Sequence, residues 1–429
     1  MRKAALHNLG CKVNSYETEA MQQLLEAAGY QIVDFEEKAD VYIINTCSVT
    51  AVSDKKSRQM IRRAKGRNPG AVVAACGCYV QTHTDEAESL GIDLVGGTGE
   101  RMKFLDLLEQ AAADRRARVL VDEALRRRDF EVLPAGGQAR RTRAMLKVED
   151  GCVNFCTYCI IPYARGPVRS LPLEQAVAQT RRLREEGYRE IVFTGIEISS
   201  WGHDFKDGSS LIDLLEAVSA AAGDMRLRLG SLEPRTITED FCRRAAATGQ
   251  VCRHFHLSLQ SGCDRTLARM NRKYNTAEFL ACVERLRRYF PGCALTADMI
   301  TGFPGETEAD QAAAVAFLEQ VGFAAVHVFP YSRRPGTKAD AMPEQLSHAV
   351  KSARAHEAQR VADACKQRYL VQQVGQTLPV LFETEHDGSW VGHSDNYCLV
   401  RAAGDDLRGL VKNVKISAVS GQMLVGDLV

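Results

Sequence analysis

Residues 151–159 read GCVNFCTYC. Three cysteines, Cys152, Cys156 and Cys159, stand there with three residues between the first pair and two between the second. They are too close to form a set of ordinary disulfides. A structural zinc site takes four ligands, usually as two pairs with a long gap between them. Three thiolates on one short loop suit an iron–sulfur cluster that keeps one iron free of protein ligands. The free position could take a substrate or cofactor. A structural cluster with a distant fourth ligand, or a zinc site, is the alternative reading.

The loop follows MLKVE (residues 145–149), a strand-like run, and from Leu146 to about Pro330 strand and helix patterns alternate. The strand candidates are MLKVE, EIVFTGIEI (190–198), MRLRLGSL (225–232), FHLSLQS (255–261), CALTADMI (293–300) and AAVHVFP (324–330). Helical stretches such as LEQAVAQTRRLREEG and TAEFLACVERLRRYF lie between them. Six strands with intervening helices predict a partial (β/α) barrel. One more helix is expected over 345–372, which bounds this core at 144–370. The cysteine loop then sits at the barrel mouth, where active sites occur.

The first hundred residues keep a related rhythm. KAALHNLG reads as a strand ending at Cys11. A helix is expected next, with Asn14 as its cap, Glu17 at the capping-box position, a stripe of Met21, Leu24, Leu25 and Ala28, and Gly29 as its stop. VYIINTC is a buried strand ending at Cys47, and AVVAACGC is another ending at Cys78, with a very polar helix between them. This β-α-β-α order predicts a doubly wound parallel α/β domain over residues 1–112. Residues 113–143 are charged, carry Gly and Pro punctuation, and read as a linker. After residue 370, LPVLFET, SWVGHS, NYCLVRA, LRGLVKNVKISAV and MLVGDLV are short strands parted by Gly and Asp. They predict a small antiparallel β-barrel over 371–429. The fold class is therefore α/β multidomain.

The 429 residues carry a formal net charge of only +1, so any nucleic-acid surface must come from local clustering. The start, MRKAALHNLGCKV, does not read as a secretory leader, and no stretch approaches the roughly 18 apolar residues of a membrane span. A cytoplasmic protein is expected. Fourteen cysteines in a reducing compartment point to metal or catalysis before disulfides.

Cys11, Cys47 and Cys78 are far apart in sequence, yet each falls at the end of a predicted parallel strand. Those ends converge on one edge of an open α/β sheet, where ligands bind. The three could meet and hold a second cluster, although cysteine is often only a small buried hydrophobe. Cys76 shares a strand face with Cys78 by period-2 alternation and reads as packing.

C-x3-C-x-aromatic-C, with Tyr158 as the aromatic, resembles the signature of radical S-adenosylmethionine (SAM) enzymes. LGCKVNSYETE, INTCSVT and GCYVQ resemble the three N-terminal motifs of the methylthiotransferase family, which puts the motif cysteines at Cys11, Cys47 and Cys78 and leaves Cys76 spare. The resemblance runs through the whole chain to a TRAM-like C-terminal barrel. LGCKVNSYET, HLSLQSG and RMNRKY look most like the branch that acts on N6-threonylcarbamoyladenosine beside the tRNA anticodon.

The resemblance implies two 4Fe-4S clusters and SAM, with SAM bound at the open iron of the second cluster. It implies two uses of SAM: one methylates a sulfur on the first cluster, and another yields a radical that takes hydrogen from position 2 of the adenine. The carbon radical then captures the methylthio group. It also implies a tRNA partner, a reducing electron donor, and no membrane; a monomer is expected. The same-class alternatives are methylthiolation of isopentenyladenosine in tRNA or of a ribosomal-protein aspartate. The alternative from another class is a non-catalytic iron–sulfur RNA-binding module.

Several strand ends offer SAM contacts. Tyr158 lies in the cysteine loop. Thr194, Gly195 and Glu197 end one strand, Ser231 and Glu233 another, and Gln260 with Ser261 a third. Gly302 and Gly305 shape the TGFPGET turn, whose plain reading is a turn with Thr307 capping the next helix. For RNA, Asp54 to Asn68 holds seven Lys or Arg and one acid. Lys55, Lys56, Arg58, Arg62 and Arg63 are the phosphate candidates, against the plainer reading of a solvated basic face. RRTR (140–143) and RMNRKY (269–274) are further candidates. From Val371 onward four Lys or Arg face seven acids, so an RNA role for the tail would need Lys412 and Lys415 clustered, or shape and stacking contacts.

Overall fold

The computed structural model describes residues 2–138 and 141–429. Arg140, one of the RRTR candidates, lies outside the described residues.

The N-terminal domain is a six-stranded parallel sheet in the order β2-β1-β3-β4-β5-β6. Its strands are β1 (Lys3–Asn8), β2 (Gln31–Val33), β3 (Val41–Thr46), β4 (Val72–Gly77), β5 (Leu94–Gly96) and β6 (Arg118–Leu120). Its helices are α1 (Lys12–Ala27), α2 (Ala51–Arg67), α3 (Cys78–Thr82), α4 (Thr84–Ser89) and α5 (Arg101–Asp114). Alternate strand residues bury against α1 and α5 on one face and against α2 and α4 on the other. The domain is doubly wound, and the chain reverses direction across the sheet between β1 and β3. Ligands bind at such switch points, outside the strands' carboxyl ends.

Two details differ from the sequence reading. Strand β6 pairs with β5, so the sheet extends into the segment read as linker; the rhythm was hidden because the strand has only three residues. Helix α1 begins at Lys12 with Cys11 at its N-cap. Asn14 and Glu17 are not its caps but are buried inside it, and Ala28 is exposed. Their polar side chains serve the neighbouring domain instead.

The core begins with β7 (Arg143–Lys147), β8 (Glu149–Asp150), α6 (Ile161–Arg165), β9 (Arg169–Ser170), α7 (Leu173–Glu185), β10 (Glu190–Thr194) and α8 (Leu211–Ala222). Then come β11 (Arg226–Arg228), β12 (Ser231–Leu232), α9 (Glu239–Ala247), β13 (His254–Gln260), α10 (Asp264–Arg269) and α11 (Thr276–Tyr289). It closes with β14 (Ala294–Thr301), α12 (Glu308–Val321), β15 (Ala325–Pro330) and α13 (His348–Gln372). Parallel sheets β11-β10-β7 and β12-β13-β14-β15 are joined through Leu229 and Gly230, so the expected third strand is broken in two. Strands β7 and β15 do not pair. The barrel is partial, with its apolar residues turned outward to the helices.

The tail is a closed antiparallel-rich barrel of β16 (Thr377–His386), β17 (Ser389–Ser394), β18 (Leu399–Ala403), β19 (Val411–Ser420) and β20 (Met423–Leu428). It plugs the bottom of the core barrel. Arg228 donates to the carbonyls of Ser394 and Asp395, Arg253 pairs with Asp395, and Tyr397 stacks on His254 at 4.6 Å. No described helix is long and apolar enough to cross a membrane.

Candidate iron–sulfur and SAM site

Cys11, Cys47 and Cys78 follow the adjacent strands β1, β3 and β4. Their approach needs Gly10: its φ is +104°, and a Cβ there would sit 2.7 Å from Cys47 Sγ. Asn14 braces the same edge, donating to the carbonyls of Leu9 at 2.7 Å and Thr46 at 2.9 Å. Burial raises the Cys47 thiol and pushes Cys78 up to about 12. Bound metal deprotonates such thiols outright. Cys76 packs between the sheet and α5. The strand ends at Gly77, so Cys78 opens α3 and does not share the strand face of Cys76.

The loop trio is clamped from the side. Thr157 donates its backbone N–H to Met270 O at 3.0 Å and its hydroxyl to Arg269 O at 2.9 Å. The Asn271 amide donates to Phe155 O at 3.1 Å. Arg272 donates to Cys156 Sγ at 3.1 Å and is ion-paired to Glu233. RMNRKY, read as a phosphate candidate, is thus largely a clamp on the cysteine loop; the Arg272 side chain is 5% exposed. Burial pushes Cys159 up to about 12, and Cys78 is near enough to add to that rise. The two trios therefore face each other where α3 packs on α6.

A buried ionic network joins the domains beside them. Glu17 accepts from Arg101 at 2.9 Å, from Lys147 at 2.9 Å and from Arg165. Asp150 pairs with Lys147 at 2.8 Å and Arg169 at 3.2 Å, and Arg165 also donates to Asn14 at 2.8 Å. Four buried cations meet two acids, and the Arg165 charge works against the burial that raises Cys78. That positive excess suits an anionic thiolate-bound cluster. A second anchor pairs Arg334 with Asp54 of α2 at 2.5 Å and with Ser48 at 2.8 Å. Sequence reading missed Arg334, since its partners lie nearly 300 positions away.

Among the described residues no three Cys, His, Asp or Glu side chains converge tightly enough for a single metal ion. A cubane asks its thiolates to stand further apart, one at each ligated iron. By donor chemistry, two sets of three free thiols suit such clusters.

The strand-end candidates fall around the loop. Glu197 caps a short 3-10 turn, accepting from Ser199 N at 3.1 Å, and burial with Glu233 nearby raises its carboxyl to about 7. Glu197 N donates to Glu149 at 2.7 Å, and Gly195 leaves room for that carboxyl. Ser231 opens the two-residue strand β12 and Glu233 follows it, and Glu233 N donates to Ser199 Oγ at 2.9 Å. Gln260 adopts φ +60° where the β13–β14 pairing slips, a strained backbone of the kind found at functional sites. Gln260, Tyr158 and Cys159 line a cavity of about 260 Å³ with Val49 and Thr50 from the N-terminal domain. Gly302 and Gly305 form the turn before α12, which Thr307 caps with Asp310; a Cβ on Gly302 would meet Lys351, and on Gly305, Arg269.

On α2, Arg58 pairs with Glu86 and Arg63 with Glu36. Lys55, Lys56 and Arg62 are exposed with no ion pair among the described residues. Lys412 and Lys415 are exposed on β19. The remaining seven cysteines are all buried.

A family described as "Uncharacterized protein family UPF0004" matches residues 3–97, and the Radical SAM superfamily matches residues 146–318. The chain is 41% identical over 423 residues to "Threonylcarbamoyladenosine tRNA methylthiotransferase MtaB" of Bacillus subtilis (strain 168), covering 97% of this chain and 94% of the relative. It is 36% identical to the protein of that name from Aquifex aeolicus (strain VF5), over 90% and 93% of the two chains. It is 34% identical to "tRNA-2-methylthio-N(6)-dimethylallyladenosine synthase" of Moorella thermoacetica, over 98% and 97%. Among solved structures, a radical S-adenosylmethionine methyltransferase, TsrM, from Kitasatospora setae shares the fold with a TM-score of 0.57 at 18% identity, over 79% of this chain and 77% of that one.

Proposed function

We propose, from the premise that this chain belongs to the radical SAM tRNA methylthiotransferase family, that it places a methylthio group on position 2 of N6-threonylcarbamoyladenosine in tRNA. The observation that carries the reading is the pair of cysteine trios at one domain interface, where α3, which opens on Cys78, packs against α6, which begins two residues after Cys159. The choice of nucleoside is supported by the higher identity to the relatives named for that nucleoside.

Cys11, Cys47 and Cys78 would hold one 4Fe-4S cluster, and Cys152, Cys156 and Cys159 the other. When bound, the clusters and SAM supply a carbon-centred radical, needed because that ring position is unactivated, and the methylthio group itself. Arg272, anchored by Glu233, donates to the Cys156 sulfur and fixes the loop. Glu197, Glu233, Ser231 and Gln260 present polar groups at the strand ends for SAM, with Thr194 and Gly195 at the β10 end, Tyr158 beside them and the Gly302–Gly305 turn behind. Val49, Thr50 and Tyr158 close the cavity between the domains and keep water from the reacting base. Lys55, Lys56 and Arg62, with Arg58 and Arg63 beside them, would meet tRNA phosphates. The protein would act in the cytoplasm as a monomer, fed by a separate reductant.

The test is anaerobic reconstitution, reduction, and incubation with SAM and tRNA bearing the nucleoside, followed by nucleoside mass spectrometry. The methylthio product is expected, and Cys156→Ala should abolish both it and 5′-deoxyadenosine. Product made only from isopentenyladenosine tRNA, or cleavage of SAM that persists in Cys156→Ala, would overturn the reading.

A further inference from the structure

The lumen of the core barrel holds a second cavity that the cluster sites do not use. It measures about 350 Å³ and lies where the start of α1, strand β7 and the C-terminal barrel meet. Four cations line it, Lys12, Arg141, Arg143 and Arg228, against one acid, Glu383. The acids that back these cations do not balance them. Glu383 is shared between Arg143 at 2.8 Å and His393 at 2.6 Å. Glu190 is shared between Arg226 at 2.6 Å and Arg228 at 2.7 Å. Arg141 pairs with Glu19. Lys12 has no carboxylate partner among the described residues and is exposed. The lumen also favours no further cation: burial, then the charges of Arg228, His256 and Lys12, depress the protonation of His254. A partly enclosed space with surplus positive charge is a seat for an anion.

The position of Lys12 says where that anion comes from. It follows Cys11 directly, so one wall of the cavity is the residue next to a ligand of the first trio. We propose that this cavity binds the carboxylate at the end of the threonylcarbamoyl arm of the target nucleoside, with Lys12 and Arg143 as its principal partners. The inference rests on the reading of that nucleoside as substrate. The arm leaves the base at N6, on the carbon two ring positions from C2 across N1, so the base can offer C2 to the clusters while the arm runs away from it into the lumen. Met145, Val192 and Tyr397 supply apolar wall for its carbon atoms. A dimethylallyl arm has no charge to offer, and on entering it would strip water from these cations without replacing it. A site built to pair a polar group rejects the analogue that lacks it far more strongly than a hydrophobic pocket rejects a missing methylene. The cavity would thus set which modified adenosine is accepted.

The experiment uses reconstituted holoenzyme and two anticodon stem–loops. One carries threonylcarbamoyladenosine, and the other the same arm with a carboxamide replacing the carboxylate. Equilibrium binding and initial rates are measured for each. Wild type is expected to prefer the carboxylate by about tenfold or more in Kd and KM. Lys12→Met and Arg143→Met should each remove most of that preference by weakening the carboxylate substrate alone, and Lys12→Arg should restore it. Iron content and the far-UV spectrum verify that each variant is folded and loaded. Preference in both methionine variants equal to wild type would overturn the cavity assignment. If the substrate reading itself is wrong, the result looks different: wild type binds neither stem–loop better than one with dimethylallyladenosine and forms no methylthio product on either, and the assignment falls with it.

Discussion

Cys152, Cys156 and Cys159 lie within eight consecutive residues, whereas Cys11, Cys47 and Cys78 come from three strands of a parallel sheet. The first trio is local: a loop brings the thiols together and one segment, Arg269 to Tyr274, clamps it from outside. The second is an assembly, since it exists only once β1, β3 and β4 have paired and Gly10 has let Cys11 approach Cys47. A local site should survive strain within the N-terminal sheet, and an assembled one should not. The two also differ in electrostatics. The assembled trio borders a network with two surplus buried cations, while the loop trio has a single arginine, Arg272, on one sulfur.

The largest expected effect tests the interface that both trios share. Glu17 is the only acid that α1 gives the buried network, and Arg101, Lys147 and Arg165 all lean on it. Burial opposes its charge, but Arg165, Lys147 and Arg101 hold its carboxyl well below the usual range. Glu17→Gln would leave those cations with Asp150 alone. Breaking a buried pair in this way costs about 3–5 kcal/mol, read as a lower midpoint of the first urea transition. A loss under ~1 kcal/mol would mean that the cations find other counter-charge and that Glu17 is not what holds the two domains together.

A narrower cut separates the trios. Gly10→Ala puts a Cβ within 2.7 Å of Cys47 Sγ at a backbone φ of +104°, which an L side chain adopts only with strain. Iron and sulfide after reconstitution should fall by about half, while SAM cleavage, which draws on the loop trio, continues. Full iron content in Gly10→Ala would show that the strand-end trio tolerates more freedom than the packing allows.

This contrast also explains what was legible in the sequence. Alternating strand and helix periods announced the first two domains, and short strands parted by Gly and Asp the third, because each strand buries one or both faces against its neighbours. The loop trio was visible because its spacing is local. The strand-end trio was visible only as a topological expectation, that strand ends of a parallel sheet converge. What stayed hidden depends on partners far away in the chain. Glu17 and Asn14 look like helix caps until Arg165 and Lys147 arrive from the core. Arg272 looks like a phosphate ligand until Glu233 and Cys156 are placed beside it. Arg334 and Tyr397 carry no local signal at all, since each acts by filling a space that another domain provides. Charge type is readable from sequence, but the direction in which a charge faces is not.

The smallest expected effect concerns the loop trio alone and divides the role of Arg272 into two parts. Its guanidinium donates to Cys156 Sγ at 3.1 Å and also brings positive charge to a buried place. Both contributions favour the more negative, reduced form of a thiolate-bound cluster, because hydrogen bonds and charge near the sulfurs set its potential. Arg272→Lys keeps the charge but loses the fork that spans Cys156 and Glu233; Arg272→Gln loses both. The reduction potential of the loop cluster, measured by electron paramagnetic resonance titration in the Gly10→Ala background to isolate its signal, should fall in both. The fall should be larger in Arg272→Gln, on the order of 50 mV or more, since a hydrogen bond to a charged group is worth about 1.5–3 kcal/mol and only part of that differs between the two redox states. Iron content should hold, because the Met270 and Asn271 contacts to the loop remain. If the two variants shift the potential equally, the hydrogen bond rather than the charge tunes the cluster. If neither shifts it, Arg272 is a mechanical clamp, and the electrostatic difference between the trios lies wholly on the N-terminal side.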